Sequence, residues 1–423
     1  MTEIQGTILS MKNNKAPGPD GIPIEFYKAF FNDSNPSSNS NSSENEPSDC
    51  AKCLLSLFNK IWDGDFPEEW NSASIVSIPK KGNLADCNNY RGISLINVGI
   101  KILSKIITNR ISKYAFDNKF VRPEQFGFRN KEECISLFIS IRDICQRRKF
   151  DDKFTYLAFL DLKKAYDSVP IFNILTKLYN LGIRGKCLNF LTNLYVTSKA
   201  RAKLRGDLSD EFPINRGVRQ GCPLSPILFN LFINDILLNC DNYGIEIKKS
   251  KCCGGLFADD IVLISPTKSS LKKLLNHVNN WAKINEMSFG INKCATMTIN
   301  PSNFDSSNFN EPTFYLDNQP IPKTSCYTYL GIPFENSLLL NPILSYINDK
   351  FNHTMNSYFH FLTNRHIPLF IKKLTLISFI LSTITYFAPL LGSNRARPKK
   401  AQSILNRGIY WCFGFLPLKS KHQ

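Results

Sequence analysis

Two adjacent carboxylates inside an apolar stretch constrain this chain more than any other feature. Residues 252–265 read CCGGLFADDIVLIS, so Asp259 and Asp260 stand between two short apolar runs. The pattern predicts a β-hairpin with both aspartates at its tip. The pair is costly, because the two charges repel each other and lose hydration unless a cation lies beside them. Carboxylate oxygens are the ligands that Mg²⁺ prefers, together with substrate phosphates, so the pair indicates a metal site. For an Asp-Asp pair standing alone, a polar turn would be the better interpretation.

A third carboxylate follows a second predicted strand. Residues 154–161 are rich in β-forming types and residues 162–169 leave the strand, so Asp161 is expected at a strand end. If Asp161 comes beside Asp259 and Asp260, the three side chains form a two-metal site. In such sites, ions about 4 Å apart stabilise the attacking and leaving oxygens of an in-line phosphoryl transfer.

A loop that leads into a buried helix lies between these two strands. Residues 216–235 read RGVRQGCPLSPILFNLFIND. Turn-forming residues continue to Ser225, a predicted N-cap, and Pro226 suits the first helical position. The apolar residues that follow at helical spacing predict that the helix is buried.

The charge of the chain favours polyanions as partners. It has 423 residues, which predicts two or three domains, and 43% of them are apolar, which excludes wholesale disorder. Lys and Arg number 52 against 35 Asp and Glu, so the net charge is +17. Nucleic acid is the first partner to consider. Charge alone leaves open a ribosomal or chromatin protein and binding to an anionic membrane surface.

The cysteines indicate a reducing compartment. Their number, 13, is odd and their spacing is scattered, which does not fit a disulfide framework. No apolar run follows Met1, so no secretory signal is visible. We expect a location in the nucleus or cytoplasm.

Three stretches predict local structure outside these motifs. Asn32–Ser48 is rich in Asn and Ser and is expected to be a disordered insertion. Apolar residues at helical spacing predict helices around residues 54–61 and 103–114, and Lys101 and Lys105 occupy another face of the second one. Residues 374–394 carry no charge and are long enough to span a bilayer. Their Ser and Thr content favours a buried helix over a membrane span.

In order along the chain, eight segments resemble the reverse transcriptases of non-LTR (LINE-type) retrotransposons. They are KAPGPDGI (15–22), IPKKGNLADCNNYRGISLINV (78–98), PEQFGFR (123–129), FLDLKKAYDSV (159–169), GVRQGCPLSPILFNLFIND (217–235), FADD (257–260), FGINKC (289–294) and YLG (329–331). Their order, spacing and number make the resemblance specific.

The resemblance implies an α+β right-hand polymerase with fingers, palm and thumb. Its palm is expected to carry a small, mainly antiparallel sheet packed on helices. Residues 1–155 would form an N-terminal extension and the fingers, with the insertion at 32–48. Residues 156–335 would form the palm, with a helix at 225–240, and residues 336–423 a thumb-like helical region.

The resemblance also implies the chemistry, which is RNA-directed DNA synthesis by two-metal phosphoryl transfer. Asp161 and Asp259 match the metal-binding aspartates and Asp260 the third catalytic aspartate, and the Leu162 carbonyl is a further candidate ligand. Two Mg²⁺ ions are expected, with Mn²⁺ as a substitute. Lys293 matches the lysine that protonates the leaving pyrophosphate.

The incoming dNTP is expected to contact a second group of residues. A planar guanidinium pairs bidentately with phosphate, which suits Arg91 as the triphosphate ligand. A bulky ring at Tyr166 would clash with a 2′-hydroxyl and so select deoxynucleotides. The residues expected to contact the dNTP are Arg91, Tyr166, Gln220 and Gly221, together with one of the two lysines Lys80 and Lys81.

An RNA template and a DNA primer are the expected macromolecular partners, and no membrane is expected. The positions that match template or primer contacts are Lys15, Lys101, Lys105, Gln125, Arg129, Tyr329 and Gly331. No endonuclease pattern is visible in the chain, so this activity is expected from a missing region or in trans. The chain would then be a fragment or a truncated copy of such an element.

Two other functions remain open at this point. A catalytically inactive protein could keep the polymerase fold as a nucleic-acid-binding scaffold. In that case we would expect other residues to have replaced the catalytic aspartates, and here all three aspartates are present. An RNA-directed RNA polymerase shares the palm and the paired aspartates, and Tyr166 argues against it.

Overall fold

The computed structural model of the protein describes residues 1–31, 47–80, 82–129, 133–248, 250–304, 309–391 and 397–414. The predicted insertion at 32–48 lies outside the described residues except for Pro47 and Ser48. Lys81 lies outside them as well.

Helices form most of the regular structure in the described residues. The α-helices are α1 (Thr2–Ser10), α2 (Ile24–Ala29), α3 (Asp49–Asp63), α4 (Val98–Asp117), α5 (Cys134–Phe150), α6 (Ala165–Ser168), α7 (Ile171–Asn180), α8 (Gly185–Val196), α9 (Ser225–Ile233), α10 (Lys268–Ile284), α11 (Asn341–Ser357), α12 (Phe359–Thr363), α13 (Leu369–Thr375), α14 (Ser382–Tyr386), α15 (Ala388–Leu391) and α16 (Arg397–Cys412). Leu376–Leu381, between α13 and α14, is π-helical, and 3₁₀ turns lie at Glu68–Asn71, Cys87–Asn89, Asp241–Tyr243 and Ile291–Lys293.

The strands are short. They are β1 (Ser72–Pro79), β2 (Tyr90–Leu95), β3 (Thr155–Asp161), β4 (Lys199–Leu204), β5 (Asp207–Leu208), β6 (Phe212–Pro213), β7 (Ile245–Ile247), β8 (Ser250–Cys252), β9 (Gly254–Phe257), β10 (Asp260–Ser265), β11 (Ala295–Ile299), β12 (Tyr315–Leu316), β13 (Gln319–Pro320), β14 (Cys326–Tyr329) and β15 (Ile332–Glu335).

The chain divides into two compact units. The first consists of Met1–Asn130, Asp161–Asp241 and Leu275–Gly290. Its described residues contain a five-stranded sheet in which β1 is antiparallel to β2 and parallel to β4, and β5 and β6 both pair with β4. Every residue of helix α9 except Pro226 is buried in this unit, which fits its mostly apolar sequence. Each large apolar side chain buried in this way stabilises the fold by about 1.5–3 kcal/mol.

The second unit consists of Lys131–Leu160, Asn242–Leu274 and Ile291–Gln423. It contains a four-stranded sheet in the order β11-β3-β10-β9. The pairs β11–β3 and β10–β9 are antiparallel. Along the chain, these strands and the helices between them follow the βαββαβ order of ferredoxin-like sheets. The small, mainly antiparallel sheet that the sequence predicts is therefore confirmed.

An aromatic cluster forms part of the core of this second unit. The ring of Phe159 on β3 stacks on Tyr327 with centroids 4.6 Å apart and also contacts Tyr329 and Phe334. Phe138 of α5 packs edge-on against Phe334 at 5.5 Å. This cluster joins β3, α5 and the β14–β15 hairpin.

Most predicted elements are confirmed, and the helix after the loop is shorter than predicted. Helices α3 and α4 and strand β3 lie where the sequence patterns place them. Helix α9 ends at Ile233, whereas the sequence predicts a helix over residues 225–240. The side chain of Asn234 bonds to the backbone of Phe120 and Arg122, which favours a turn over further helix. Ser225 is not the N-cap, because its hydroxyl donates to the Arg219 carbonyl at 2.6 Å.

The uncharged run 374–394, predicted to be a buried helix, is only partly buried over its described residues 374–391, and residues 392–394 lie outside the described residues. The helical residues 369–386 are long and apolar enough to cross a membrane, and 17% of this window is buried. Leu374, Ile377 and Phe379 are each about half exposed. The Ser and Thr side chains of this stretch do not require burial, because the hydroxyls of Thr375, Ser382 and Thr383 donate to backbone carbonyls within the same helical stretch.

Candidate active site

The hairpin predicted for Asp259 and Asp260 is present in the second unit. Asp260 begins β10 and pairs with Phe257 at the end of β9, which leaves Ala258 and Asp259 as a two-residue loop. Ala258 has φ +55°, a backbone conformation that a residue with a Cβ adopts only under strain. Asp259 is half-buried and Asp260 is exposed. At the tip of the hairpin, the Asp260 carboxylate is therefore open to water and the Asp259 carboxylate is partly shielded from it.

Tyr329 is close enough to this tip for the charge of Asp260 to affect it. Burial raises the pKa of Tyr329 well above its ordinary value, and the negative charge of Asp260 raises it further. The side chain is 2% exposed and its ring contacts Phe159. Tyr329 therefore belongs to the core beneath the hairpin, and a direct contact of its ring with primer is not available in this conformation.

The residues that follow Tyr329 form a turn that two other tyrosines hold. Leu330 and Gly331 have φ +50° and +75°, as a tight two-residue hairpin loop requires. Tyr386 donates to the Leu330 carbonyl at 3.0 Å and Tyr346 donates to the Gly331 carbonyl at 3.1 Å. Gly331 is exposed, so the predicted primer contact is accessible at this position.

Lys293 is also exposed in the second unit. It ends the 3₁₀ turn Ile291–Lys293, and its backbone carbonyl accepts a hydrogen bond from Tyr327 at 2.8 Å. Because Tyr327 stacks on Phe159 of β3, this bond links the turn to the four-stranded sheet.

Asp161 is the last residue of β3 and belongs to the first unit. Backbone hydrogen bonding within that unit holds it in place. Its carbonyl accepts a hydrogen bond from the Gly290 amide at 2.9 Å, and Leu162 forms an antiparallel bridge with Phe289. A Cβ at residue 290 would stand 3.2 Å from the Asp161 Oδ2 atom. The FGINKC motif thus begins by pairing with the segment that carries Asp161, and its glycine leaves room for the carboxylate.

Asp161, Asp259 and Asp260 each supply carboxylate oxygens, the type of donor that a hard divalent cation prefers. In the four-stranded sheet, β3, which ends at Asp161, is the neighbour of β10, which begins at Asp260. Among the described residues, no group of three or more His, Cys, Asp or Glu side chains is arranged to hold a metal ion. Mg²⁺ usually binds through one or two carboxylates with substrate phosphates, so a preformed cluster of three is not required.

The loop 216–221 lies along the segment that follows β3, within the first unit. Val218 donates to the Tyr166 carbonyl and Gly217 donates to the Val169 carbonyl, both at 2.8 Å. The Gln220 amide nitrogen donates to the Asp167 carboxylate at 2.8 Å. These bonds hold two of the predicted nucleotide contacts, Tyr166 and Gln220, on adjoining segments.

Residue 221 must be glycine because its backbone lies very close to the backbone of β2. Its φ is +123°, and a Cβ would stand 2.5 Å from the Ser94 carbonyl oxygen. The Ser94 amide donates to the Gln220 carbonyl at 2.7 Å, so the loop extends the backbone bonding of β2. Any side chain at residue 221 would push these two backbones apart.

Tyr166 is held by ring stacking. Its ring is parallel to Phe229 of α9, with centroids 4.7 Å apart and an interplanar angle of 10°. Phe128 approaches it edge-on at 6.5 Å. Because Phe229 is fully buried, the half-buried Tyr166 ring has a fixed support on one side.

Two residues that support this loop were not among the sequence predictions. Arg219 is 3% exposed and donates to the Ser198 hydroxyl and to the Asn71 and Leu194 carbonyls. Burial lowers the pKa of its guanidinium. Asp167 is the other one, as the acceptor for Gln220. The motifs GVRQG and AYDSV contain both residues, but a local pattern does not reveal that Arg219 is buried or that the exposed Asp167 accepts from Gln220.

The phosphate-binding candidates are exposed on the five-stranded sheet of the first unit. Arg91 lies on β2 opposite Ile78 and is exposed. Lys80 follows β1; its amide donates to the Asn89 carbonyl at 2.7 Å and its ammonium group lies 3.5 Å from the Asn88 carbonyl. Whether Lys80 or Lys81 serves the triphosphate stays open, since Lys81 lies outside the described residues.

The predicted template contacts differ in accessibility. Lys15 is exposed in a loop, whereas Lys101 and Lys105 of α4 are half-buried. Burial lowers the pKa of Lys101. Gln125 is fully buried and its side-chain oxygen accepts from the Gly127 amide at 2.8 Å. Gln125 therefore shapes the loop, and Arg129, which donates to the Gln125 carbonyl at 3.1 Å, is the more accessible of the two.

Comparison with known proteins gives a family match over most of the chain. Residues 78–334 match the family model described as reverse transcriptase (RNA-dependent DNA polymerase). The chain is 28% identical over 327 residues to the Pol polyprotein of the type-2 retrotransposable element R2DM of Drosophila melanogaster, covering 76% of this chain and 29% of that protein. It is 25% identical over 366 residues to the RNA-directed DNA polymerase from mobile element jockey of the same organism, covering 83% and 37%.

Solved structures give a more distant likeness. Apo telomerase from Candida tropicalis aligns with a TM-score of 0.46 and 14% identity, covering 87% of this chain and 67% of the telomerase chain. The curated relatives are much longer, since the chain spans about a third of their length.

Proposed function

The chain belongs to the reverse transcriptase (RNA-dependent DNA polymerase) family, and from this premise we propose that it extends a DNA primer with deoxynucleotides on an RNA template. The predicted resemblance to non-LTR retrotransposon polymerases is confirmed by the relatives found. Because the chain spans about a third of those relatives, we propose that it is the polymerase portion, or a truncated copy, of such an element's protein.

The observation that carries the proposal is the placement of intact carboxylates on neighbouring strands. Strand β3 ends at Asp161 and its sheet neighbour β10 begins at Asp260, with Asp259 in the preceding loop. Reverse transcriptase domains generally use divalent metal ions. In the proposal, Asp161 and Asp259 would hold two Mg²⁺ ions, with Asp260 and the Leu162 carbonyl as further oxygen donors. When bound, the ions would stabilise the charge on the reacting phosphate oxygens.

The remaining groups act on the nucleotide in the proposal. The exposed Arg91 binds the triphosphate through paired hydrogen bonds. The Tyr166 ring, supported by Phe229, closes the space that a 2′-hydroxyl would need. Gln220, fixed by Asp167, contacts the incoming nucleotide and template. Lys293 donates a proton from its ammonium group to the leaving pyrophosphate.

Primer extension on an RNA template with Mg²⁺ and dNTPs tests this proposal. Wild-type protein is expected to lengthen the primer, and Asp259→Asn is expected to lower the rate by at least about a hundredfold, as loss of a charge-stabilising group does. Asp349→Asn, an exposed aspartate on α11, is the matched control and should keep the wild-type rate. Thermal unfolding of both variants verifies that they are folded.

Three results would contradict the proposal. The first is the absence of any extension by folded wild-type protein, and the second is an unchanged product with Asp259→Asn. Tight binding of an RNA–primer duplex without nucleotide incorporation would favour the non-catalytic scaffold. Incorporation of ATP in preference to dATP would favour an RNA-directed RNA polymerase.

A further inference from the structure

An aromatic residue beside Tyr166 combines solvent exposure with a strained backbone. Phe128 has φ +57°, a left-handed conformation that is an outlier for a bulky residue. Its side chain is 55% exposed, although a large apolar ring stabilises a fold mainly by being buried. Strained conformations persist only where the surrounding structure imposes them, and they cluster at functional sites. Phe128 therefore strains the backbone without the full packing that a core ring would provide.

Hydrogen bonds on both sides of Phe128 hold its loop in this conformation. The Gln125 side-chain oxygen accepts from the Gly127 amide, and the Asn230 side chain donates to the Gly127 carbonyl, both at 2.8 Å. Gln125 and Asn230 are buried, which favours these bonds over bonds to water. On the other side, Arg129 donates to the Gln125 carbonyl at 3.1 Å. Both neighbours of Phe128 are thus held, and the strained conformation is imposed on the residue between them.

Helix α9 anchors Phe128 and Tyr166 together. Two adjacent residues of the helix take part: Phe229 stacks on the Tyr166 ring, and Asn230 holds Gly127 next to Phe128. The ring centroids of Phe128 and Tyr166 lie 6.5 Å apart, with the planes at 73°. Phe229 is fully buried, whereas more than half of Phe128 is exposed. Of these two neighbours, Phe128 is therefore the one that a ligand beside Tyr166 can touch.

We propose that Phe128 is a second sugar-selecting residue, whose ring contacts the deoxyribose of the incoming dNTP beside Tyr166. The inference rests on the proposed function, since it needs a nucleotide at Tyr166. A deoxyribose can pack its 2′-carbon against apolar rings, whereas a ribose would bury its 2′-hydroxyl there without a hydrogen-bond partner. A ring that is held in place excludes the hydroxyl better than a mobile one, which gives the strained loop a purpose.

Equilibrium binding of dATP and of ATP to the protein with a template–primer duplex tests the inference. The RNA template presents a uracil to the nucleotide, and the primer ends in a dideoxynucleotide, so that binding is measured with Mg²⁺ but without chemistry. The variants Phe128→Ala and Phe128→Gly both remove the ring. Phe150→Ala is the matched control, because Phe150 is a phenylalanine with 74% exposure at the end of α5.

We expect wild type and Phe150→Ala to bind dATP more tightly than ATP. Phe128→Ala should lower this preference by about two- to tenfold, the range that one aromatic contact contributes. The ratio of the two affinities measures sugar selection alone, since a loss of folded protein would weaken the binding of both nucleotides equally. A preference for dATP that is the same in Phe128→Ala as in wild type would overturn the inference.

Phe128→Gly separates the effect of the ring from the effect of the loop. Glycine adopts φ +57° without strain, so this variant should unfold at a higher temperature than Phe128→Ala. If the ring selects the sugar, the two variants have the same reduced preference for dATP. If Phe128→Gly instead recovered the wild-type preference, the stability of the loop would be the cause, and the assignment of sugar selection to the Phe128 ring would be wrong.

Because the readout involves no chemistry, it separates the two proposals. A preference for dATP that depends on Phe128, in a protein that does not extend primers, would refute the proposed function alone. Primer extension by a protein whose preference for dATP does not depend on Phe128 would refute the inference alone. Folded wild-type protein that bound neither nucleotide would refute both.

Discussion

Tyr166 is the residue on which the choice of sugar should depend. The stack on Phe229 at 4.7 Å holds its ring in one place, which is what a steric filter requires. Tyr166→Val removes the ring, so incorporation of ribonucleotides relative to deoxynucleotides should rise by roughly tenfold to a hundredfold. Competition between ATP and dATP in primer extension measures this ratio. Tyr166→Phe keeps the ring and should keep the wild-type preference; a relaxed preference in that variant would refute the steric account.

Asp167 is expected to act through Gln220. Its carboxylate accepts the Gln220 amide at 2.8 Å, so Asp167→Ala should free that side chain. One such hydrogen bond contributes about 0.5–1.5 kcal/mol, which corresponds to a rise of about two- to tenfold in KM for dNTP. Asp167→Asn retains an acceptor oxygen and should restore most of the affinity. If Asp167→Asn and Asp167→Ala were equally impaired in steady-state kinetics, the positioning role would be wrong.

The positions of the carboxylates and of the loop 216–221 could be predicted from residue types, whereas the residues that support them could not. Asp259 and Asp260 are conspicuous because charge amid apolar strands needs an explanation. Arg219 gives no such signal, since arginine is usually exposed and only the folded chain brings the Asn71 and Leu194 carbonyls to it. The YLG motif predicts a primer contact at Tyr329, but this ring is buried and contacts Phe159, 170 positions earlier in the chain, which no local pattern reveals.

At the scale of elements, the strands and the amphipathic helices could be predicted well because their patterns are local. Alternation and apolar spacing locate β3, the β9–β10 hairpin and α4. The end of α9 could not be predicted, since Asn234 leaves the helix to bond with Phe120 and Arg122, more than 100 residues away. Tertiary bonds of this kind override a helical pattern without any trace in the local sequence.

An ion pair joins α1 to α4 and should be sensitive to acid. Arg110 forms two hydrogen bonds to Glu3, and these bonds lower the pKa of Glu3 from its ordinary value of 4.5. The stabilisation is therefore complete above pH 4.5 and is lost as the pH falls through the lower folded value. The pair is about half exposed, so Glu3→Gln should cost less than about 1 kcal/mol at neutral pH.

The measurement is urea unfolding of wild type and Glu3→Gln across pH 3 to pH 7. The difference in unfolding free energy between the two proteins should shrink toward acid pH. Asp63→Asn, whose exposed carboxylate pairs with Lys186, provides a second ion pair for comparison. If the difference in unfolding free energy between wild type and Glu3→Gln did not change with pH, the ion pair would not be the cause of that difference.

At the scale of the whole molecule, the apolar helical residues 369–386 give the chain an exposed apolar surface. Leu374 and Ile377 are 51% and 47% exposed. Surfaces of this kind promote association in water. Leu374→Gln with Ile377→Gln should lower self-association in sedimentation velocity and change the unfolding temperature by no more than a few degrees, because little buried area is lost. Unchanged association would show that another surface is responsible.

The close approach of Gly221 to Ser94 has a genetic consequence. Every missense change in a glycine codon introduces at least a Cβ, and here that atom would stand 2.5 Å from a backbone oxygen. In a saturation library selected for polymerase activity, codon 221 should therefore return glycine alone. A decaying genomic copy that has drifted at this codon could be recognised as inactive even with all three aspartates still encoded.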